Sequence, residues 1–264
     1  MLGTSAKLDI KYFLEELAHC SKAALLLDYD GTLAPFRIAR DRAFPYPGVS
    51  GLLQEIMNAR HTRVVVITGR PADEIAPLLG VTPPPEIWGA QGLQRIKPDG
   101  GYEMPRVDQF VLRALAEANE WLAELELGHL AEVKPGSLAV HWRGLSESTA
   151  DSIRKRVVLK WTAIADREQM IVQEFDGGLE MRMATPNKGD AVRVVVAEMD
   201  PGTAIAYLGD DQTDEDAFRA LQGRGLRVLV RPEWRENDAD VWLRPPEELL
   251  NFLFQWLAVR RSAS

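Results

Sequence analysis

The chain has 264 residues and 46% apolar content, which is enough for one large α/β domain or for a core carrying a modest insertion. Its net charge of −8 argues against a broad surface for nucleic acid or anionic membrane, so an anionic ligand needs local cations or a metal. The single cysteine, Cys20, excludes an internal disulfide framework, and because no segment is typical of a signal peptide or a membrane span we expect a cytoplasmic protein.

The first predicted strand ends in two carboxylates. A helix over residues 8–19 precedes an apolar run at 25–27, which is typical of a strand buried on both faces. Asp28, Asp30 and Gly31 follow directly, at the edge of the sheet where α/β proteins bind ligands. Two like charges held this close favour either a cation between them or one retained proton. The alternative is a solvated turn that happens to carry two aspartates.

The second predicted strand, residues 64–67, follows a helix over 49–59 and ends in Thr68. A hydroxyl at the carboxyl end of a strand, followed by glycine at a helix start, can bind an anion through the side chain and backbone N–H groups. The alternative is a simple cap by Thr68 on the helix predicted for residues 71–79.

A different pattern occupies the middle of the chain. Two helices, 107–127 and 146–165, are each followed by a hairpin with alternating polar and apolar residues. The first helix has the apolar stripe Val107, Phe110, Ala114, Ala118, Trp121, Leu122 and Leu125. We predict a separate α+β lobe at 106–184, inserted into a core formed by 1–105 and 185–264.

The core pattern resumes with Lys188 at the start of a helix. A strand at 204–208 then ends in an acidic stretch that contains Asp210 and Asp214. Shorter apolar segments at 227–230 and near Val241, and a helix over 246–259, complete the predicted core. Taken alone, the lysine is typical of a solvated helix start, and the acidic stretch of an exposed first turn favoured by the helix dipole.

Together these strand ends provide the groups that phosphoryl transfer requires. Asp28 is the candidate nucleophile, and Asp30, two residues on, would protonate the leaving oxygen and later deprotonate water. Thr68 and Lys188 would hold the phosphoryl oxygens. For a metal, Asp28, the backbone carbonyl of Asp30, and Asp210 offer hard oxygens that suit Mg²⁺, with Asp214 in support.

The order of four motifs carries a family resemblance. The chain contains, in this order, DYDGTLAPF, VVVITGR, TPNKGD and GDDQTDEDAF. These segments resemble the motifs of haloacid dehalogenase-type phosphatases, and their sequences are most similar to those of the trehalose-6-phosphate phosphatases. The resemblance extends from residue 23 to about residue 250. The resemblance implies a Rossmann-like parallel sheet flanked by helices, a Mg²⁺ cofactor, an aspartyl-phosphate intermediate, and trehalose 6-phosphate as substrate. Because only the interval between Thr68 and Lys188 is long enough, the inserted lobe looks like the cap of this sugar-phosphatase branch.

The resemblance also implies substrate-binding residues. Arg70, in ITGR, would lie near the phosphate or the first sugar. Cap positions that match the family's ExK, HxR and ExR patterns are Glu132, Lys134, His141, Arg143 and Glu180. Alternation along each strand puts Glu132 and Lys134 on one face, although an ordinary exposed hairpin face gives the same pattern. Gln91-Gly92 and Gln94 depart from the family's usual residues, which leaves the contacts of that loop open.

Two alternatives to trehalose-6-phosphate hydrolysis remain. The same chemistry could act on sucrose-phosphate, mannosyl- or glucosyl-phosphoglycerate, or glucosylglycerol-phosphate, although GDDQTDEDAF with the polar hairpins favours trehalose. A catalytically silent sugar-phosphate-binding domain, partnered with a synthase, would have lost a motif residue, yet every one is present. We therefore expect a monomeric enzyme with a small sugar-phosphate substrate and neither nucleic-acid nor membrane partners; association with a trehalose-phosphate synthase is left open.

Overall fold

The computed structural model describes residues 9–59 and 61–262. Among these residues, one compact unit contains those up to Tyr102 and those from Lys188 onward, and the other contains Glu103–Asn187. The assignment of these parts as catalytic core and cap stays a prediction. None of the described helices combines the length and the apolar character needed to cross a bilayer.

The strands of the described residues, in chain order, are β1 (Ala23–Leu27), β2 (Thr62–Ile67), β3 (Glu86–Gly89), β4 (Gln94–Ile96), β5 (Tyr102–Glu103), β6 (Ala131–Lys134), β7 (Ser137–His141), β8 (Met170–Phe175), β9 (Gly178–Met183), β10 (Ala204–Gly209), β11 (Leu226–Val230) and β12 (Val241–Leu243). The helices are α1 (Ile10–His19), α2 (Val49–Asn58), α3 (Ala72–Leu79), α4 (Gln109–Glu124), α5 (Glu147–Glu168), α6 (Lys188–Ala197), α7 (Glu215–Leu221) and α8 (Glu247–Ser262). Leu8, the first residue of the predicted entry helix, lies outside the described residues.

The larger unit is built on a sheet with strand order β12-β11-β10-β1-β2-β3-β4-β5. The strands from β12 to β3 pair in parallel, whereas β4 pairs antiparallel with β3. The parallel Rossmann-like α/β core is therefore confirmed, and the edge at β4 and β5 is an addition that sequence reasoning missed. Strands of two or three residues are too short to give a periodic signal.

Strand β1 lies at the centre of this sheet and is buried along its whole length. Leu25 and Leu27 pack on one face, in the apolar cluster that includes residues of α1, α2, α3 and α8. Leu26 packs on the opposite face, in the cluster that includes residues of α6 and α7. Because successive side chains of a strand point to opposite faces, the apolar run forms part of both cores and fixes the position of Asp28.

The smaller unit contains an antiparallel sheet with strand order β6-β7-β9-β8. Leu138, Val140, Leu179 and Met181 pack with residues of α4 and α5 in one apolar cluster. On α4 the buried residues are Val111, Ala114, Leu115, Ala118 and Leu122. The predicted stripe was wrong at Phe110, whose side chain is 42% exposed. The α-helical period places Val111, and not Phe110, in line with the other buried positions.

Candidate active site

Asp28 and Asp210 follow the adjacent central strands β1 and β10. The backbone N–H of Asp28 donates to the Leu208 carbonyl at 2.8 Å, which extends the pairing of the two strands by one residue. Gly31 has a φ of +86°, and a Cβ there would lie 2.1 Å from Oδ2 of Asp210. Only glycine fits this position, because both the backbone conformation and the close approach exclude a side chain. The turn after β1 thus lies directly against the Asp210 carboxylate.

Lys188 joins a third loop to the same group of residues. Its Nζ lies 2.7 Å from Oδ1 of Asp28 and 2.8 Å from Oδ1 of Asp214. The side chain is 3% exposed, so the alternative of a solvated lysine at a helix start does not hold. Burial by itself lowers the pKa of Lys188, but the Asp214 and Asp28 carboxylates outweigh it and hold the ammonium protonated.

Asp214 organises the turn that follows β10. Its Oδ2 accepts hydrogen bonds from the backbone N–H groups of Asp210 and Asp211, both at 3.0 Å. Its Oδ1 accepts from the Tyr207 hydroxyl at 2.6 Å as well as from Lys188. Both oxygens therefore serve the protein, and Asp214 supports the site from behind. Sequence reasoning missed Tyr207, although a tyrosine inside an apolar strand signals a buried hydroxyl that needs a partner.

The three buried aspartates form an acidic group that suits a divalent cation, with Asp28 and Asp210 as the candidate side-chain ligands and Asp214 in support. Asp28, Asp210 and Asp214 each offer one oxygen, and these atoms lie within 4.8 Å of one another. Burial, with additional repulsion from Asp214 and Asp30, raises the pKa of Asp28 to about 7 against the opposing effect of Lys188. Burial and the neighbouring Asp28 and Asp214 likewise raise the pKa of Asp210 well above its ordinary range. A single ammonium does not balance three carboxylates, and hard oxygen donors of this kind suit Mg²⁺.

Asp30 is not one of these three aspartates, and it pairs with Arg70. Nε of Arg70 donates to Oδ2 of Asp30 at 2.6 Å and Nη2 donates to Oδ1 at 2.7 Å. Nη1 donates to the Arg40 carbonyl at 2.8 Å, which anchors the guanidinium. Because this two-pronged geometry is specific to arginine, lysine would not replace it. The resemblance placed Arg70 near the phosphate or the first sugar, and its pairing with Asp30 was not foreseen.

Thr68 lies buried at the end of β2. Its hydroxyl accepts the backbone N–H of Arg70 at 3.2 Å, whereas α3 has Pro71 at its N-cap and no side-chain capping hydrogen bond, so Thr68 is not the predicted helix cap. The backbone N–H of Gln91 donates to the Thr68 carbonyl at 3.0 Å. A Cβ at Gly69 would lie 2.7 Å from Nε2 of Gln91, so the absence of a side chain at Gly69 allows the Gln91 side chain to lie against the backbone there. The 91–92 loop, left open by the sequence, packs directly beside Thr68.

Gln94, the other departure from the family pattern, makes contacts within the larger unit. Its Oε1 accepts the backbone N–H of Ala72, the first residue of α3, at 3.0 Å. Its Nε2 donates to the Tyr102 hydroxyl at 2.9 Å. An amide both accepts and donates, which glutamate in its ionised form cannot do, so Gln94 suits this structural position.

The sheet of the smaller unit carries a polar cluster, which we call the cap cluster: Glu132, Lys134, Ser137, His141 and Glu180. Nζ of Lys134 lies 2.6 Å from Oε1 of Glu180 and 4.0 Å from Oε2 of Glu132. His141 Nε2 lies 2.7 Å from the same Glu132 oxygen, and the Ser137 hydroxyl donates to Glu180 at 2.8 Å. Four predicted residues are therefore together, and Ser137 is an addition that strand alternation alone could have found.

Two arginines in or next to this sheet, Arg143 and Arg182, lie outside the cap cluster as defined. Arg143 lies beyond β7, where its guanidinium donates to the Asp176 carbonyl in the turn between β8 and β9. It therefore braces that turn. Arg182, the last residue of the ExR pattern, donates to the Gln173 side chain at 2.7 Å. Its charge, like that of Lys134, acts on Glu180: burial alone raises the pKa of Glu180, but these cations and the Ser137 hydroxyl lower it below its ordinary value.

The sheet order and the acidic strand ends define a haloacid dehalogenase-type fold. A haloacid dehalogenase-like hydrolase from B. subtilis superposes with a TM-score of 0.59 at 14% identity, over 88% of this chain and 98% of that one.

More specifically, the family model for trehalose-phosphatase matches residues 26–238, and the chain belongs to that family. A probable trehalose-phosphate phosphatase 4 from Oryza sativa subsp. japonica is 24% identical over 95% of this chain and 71% of the relative. The C-terminal domain of Candida albicans trehalose-6-phosphate phosphatase has the same fold, with a TM-score of 0.83 at 18% identity over 98% of this chain and 99% of that one.

Proposed function

We propose that this protein hydrolyses trehalose 6-phosphate to trehalose and phosphate, with Asp28 as the nucleophile. Membership of the trehalose-phosphatase family supports the substrate. The observation that carries the chemistry is the bridge from Lys188 to Asp28 and Asp214, beside Asp210. This arrangement provides a carboxylate nucleophile, a fixed cation and a cation-binding group of acids in one buried place.

In the first step an oxygen of Asp28 attacks phosphorus, and the bond between phosphorus and the sugar oxygen breaks. Asp30 gives its proton to the departing sugar oxygen, so the sugar leaves as an alcohol and the phosphoryl group is esterified to Asp28. In the second step water attacks the phosphorus, its proton passes to Asp30, and the Asp28 carboxylate is released with phosphate. Thr68 and Lys188 hold the phosphoryl oxygens throughout.

The pairing of Asp30 with Arg70 sets a condition on this mechanism. Both oxygens of Asp30 accept hydrogen bonds from Arg70, so the guanidinium occupies the carboxyl group in this state. The acid step therefore requires the pair to open. An anionic phosphate is a suitable new partner for the guanidinium, which agrees with a substrate-binding role for Arg70.

The metal is magnesium in this proposal. The side chains of Asp28 and Asp210 and the backbone carbonyl of Asp30 would hold it, while Asp214 orients the turn that carries Asp210. When bound, Mg²⁺ supplies positive charge that offsets the buried acids and the transferred phosphoryl group.

For the sugar we propose the cap cluster. Glu132 and Glu180 offer acceptors, and Lys134 and His141 offer donors, on adjacent strands of one sheet. Sugar hydroxyls both donate and accept, so they need such mixed sets. In this proposal residues 106–184 act as the cap of the enzyme. Cytoplasmic location, a monomeric state and association with a synthase stay predictions of the sequence.

A phosphate-release assay on a panel of sugar phosphates tests the proposal. With Mg²⁺ present, we expect kcat/KM for trehalose 6-phosphate to exceed that for sucrose 6-phosphate and glucosyl-phosphoglycerate by about 100-fold or more. Chelation of divalent cations should abolish the activity, and added Mg²⁺ should restore it. Comparable kcat/KM for several unrelated sugar phosphates would contradict trehalose specificity, and turnover unaffected by chelation would contradict the metal.

A further inference from the structure

An arginine outside the four motifs contacts the turn that carries Asp210. Nε of Arg235 donates to the Asp210 carbonyl at 3.2 Å, and Nη2 donates to the Asp211 carbonyl at 2.7 Å. Arg231 contributes a longer hydrogen bond, 3.3 Å, to the same Asp210 carbonyl. Arg235 thus spans two consecutive peptide groups with one planar guanidinium, a geometry that needs its fixed fork of donors.

With these contacts, both the N–H and the C=O groups of the turn are hydrogen-bonded to side chains. The backbone N–H groups of Asp210 and Asp211 are held by Asp214 from inside the protein. Their carbonyls are held by Arg235 from the other side. With the N–H and C=O groups of both residues engaged, the peptide planes cannot rotate without loss of several hydrogen bonds. The direction of the Asp210 side chain is set by this backbone.

Arg235 is itself fixed in place by its surroundings. Its Nη1 lies 2.5 Å from Oε1 of Glu215, at the start of α7, and the side chain is 19% exposed. Oε2 of Glu215 accepts the backbone N–H of Asp238 at 3.0 Å, so the same glutamate also ties down the loop that carries Arg235. The Asn237 amide donates to the Arg235 carbonyl at 2.5 Å. Because the Arg235 side chain is restrained in this way, its hydrogen bonds restrain the two carbonyl groups of the turn.

We propose that Arg235 is a positioning residue that fixes the turn after β10 and thereby directs the Asp210 carboxylate toward a divalent cation. This inference rests on the metal-dependent function proposed above, and it adds Arg235 to the residues that orient the metal ligands. Its guanidinium also places positive charge beside the turn of a buried acidic group, in addition to the ammonium of Lys188 and the guanidinium of Arg231. Outer residues that orient metal ligands typically change metal affinity by about 10–100-fold when they are removed.

The test compares Arg235→Ala, Arg235→Lys and the control Arg219→Ala by calorimetric titration of the metal-free protein with Mg²⁺, without substrate. Arg219 is an exposed arginine on α7 that pairs with Asp216, so its removal takes away the same charge near the same turn. We expect the Mg²⁺ dissociation constant to rise about tenfold or more in Arg235→Ala. The rise in Arg235→Lys should be intermediate, because one ammonium cannot span both carbonyls, and Arg219→Ala should stay within about twofold of the parent.

A kinetic readout separates positioning from general damage. In Arg235→Ala the Mg²⁺ concentration that gives half-maximal kcat should rise by the same factor as the dissociation constant, while kcat at saturating Mg²⁺ stays near the parental value. Parental Mg²⁺ affinity in folded Arg235→Ala would overturn the proposal. Parental Mg²⁺ affinity in Arg235→Lys would also overturn it, because it would show that Arg235 acts through its positive charge and not by positioning the turn. If Arg235→Ala does not fold, Arg235→Lys decides by the same criterion. A parent protein that binds no Mg²⁺ would instead overturn the metal site and the proposed function with it.

Discussion

Lys188 in the larger unit and Lys134 in the smaller one are both buried lysines beside two carboxylates. Lys188 contacts Asp28 and Asp214 at 2.7 and 2.8 Å, and Lys134 contacts Glu180 at 2.6 Å with Glu132 farther away at 4.0 Å. The surroundings differ in charge. Asp210 adds a third buried acid to the first group, whereas His141 and Arg182 add donors to the second.

The pKa values of the acids follow this difference. In the larger unit, burial and mutual repulsion raise the pKa of Asp28 to about 7 in spite of the adjacent ammonium. In the cap cluster, burial also opposes ionisation of Glu180, but its cations and Ser137 outweigh it and the pKa falls below the ordinary value. An acidic excess calls for a divalent cation, and a balanced group suits neutral hydroxyls. In the proposed function the same residue types would therefore serve two different ligands.

The largest expected effect comes from the nucleophile. Asp28→Asn keeps the shape of the side chain but removes the attacking oxygen's charge, so kcat should fall by at least about 10⁴-fold. Phosphate release measures it, and far-ultraviolet circular dichroism should show an unchanged fold. The matched cap variant Glu132→Gln should keep far more of the activity. Retained turnover in Asp28→Asn would reject the assigned nucleophile.

Substitution of Lys188 and of Lys134, each by itself, compares how much the ammonium stabilises the acidic group of the larger unit and the cap cluster. Lys188→Met leaves three buried acids without their ammonium, so the free energy of unfolding at neutral pH should fall by about 3–5 kcal/mol in the presence of a chelator. Lys134→Met should cost less, about 2 kcal/mol, because Ser137 and Arg182 still act on Glu180. Urea unfolding measures both. Added Mg²⁺ should recover part of the loss in Lys188→Met and none in Lys134→Met; equal costs for the two variants would contradict the charge argument.

The strand ends were predictable because a simple rule places them. Parallel strands expose their carboxyl ends at one edge, so Asp28 after β1 and Asp210 after β10 were expected at the same edge once both apolar runs were recognised as strands, and the direct pairing of β1 with β10 brings them together. The antiparallel cap hairpins were predictable for a similar reason, since alternation with period two identifies both the strands and their polar face.

Contacts made by long side chains were not predictable. Arg235 binds backbone carbonyls, which every residue carries, so nothing in its own sequence context marks the partner. Arg70 was placed near the phosphate or the first sugar by resemblance, but its pairing with Asp30 depends on rotamers that a motif does not encode. Phe110 shows a third limit: a helix turns about 100° per residue, so an error of one position in the phase exposes a residue predicted to be buried.

A milder substitution tests whether the cap cluster binds the sugar. Glu180→Gln keeps the size of the side chain but removes the charge that pairs with Lys134, so KM for trehalose 6-phosphate should rise about 10-fold or more. Turnover of p-nitrophenyl phosphate, which has no sugar, should stay near the parental value. Glu120→Gln, an exposed change on α4, is the control for loss of one carboxylate. A parallel loss on both substrates would assign Glu180 to structure instead of sugar binding.

The smallest expected effect is the pH dependence of that same substitution on stability. Glu180 has a folded-state pKa below its ordinary value of 4.5, so its stabilising contribution is fully present above pH 4.5 and is lost as pH falls through the folded-state pKa. The cost of Glu180→Gln, measured by urea unfolding from pH 7 to pH 3.5 and corrected with Glu120→Gln, should therefore be largest at neutral pH and shrink in acid. A cost independent of pH would show that the pairing with Lys134 does not favour the ionised form. Asp28 has the opposite sign: because its pKa is raised to about 7, the cost of Asp28→Asn in a chelator should shrink as pH rises from 4 to 7.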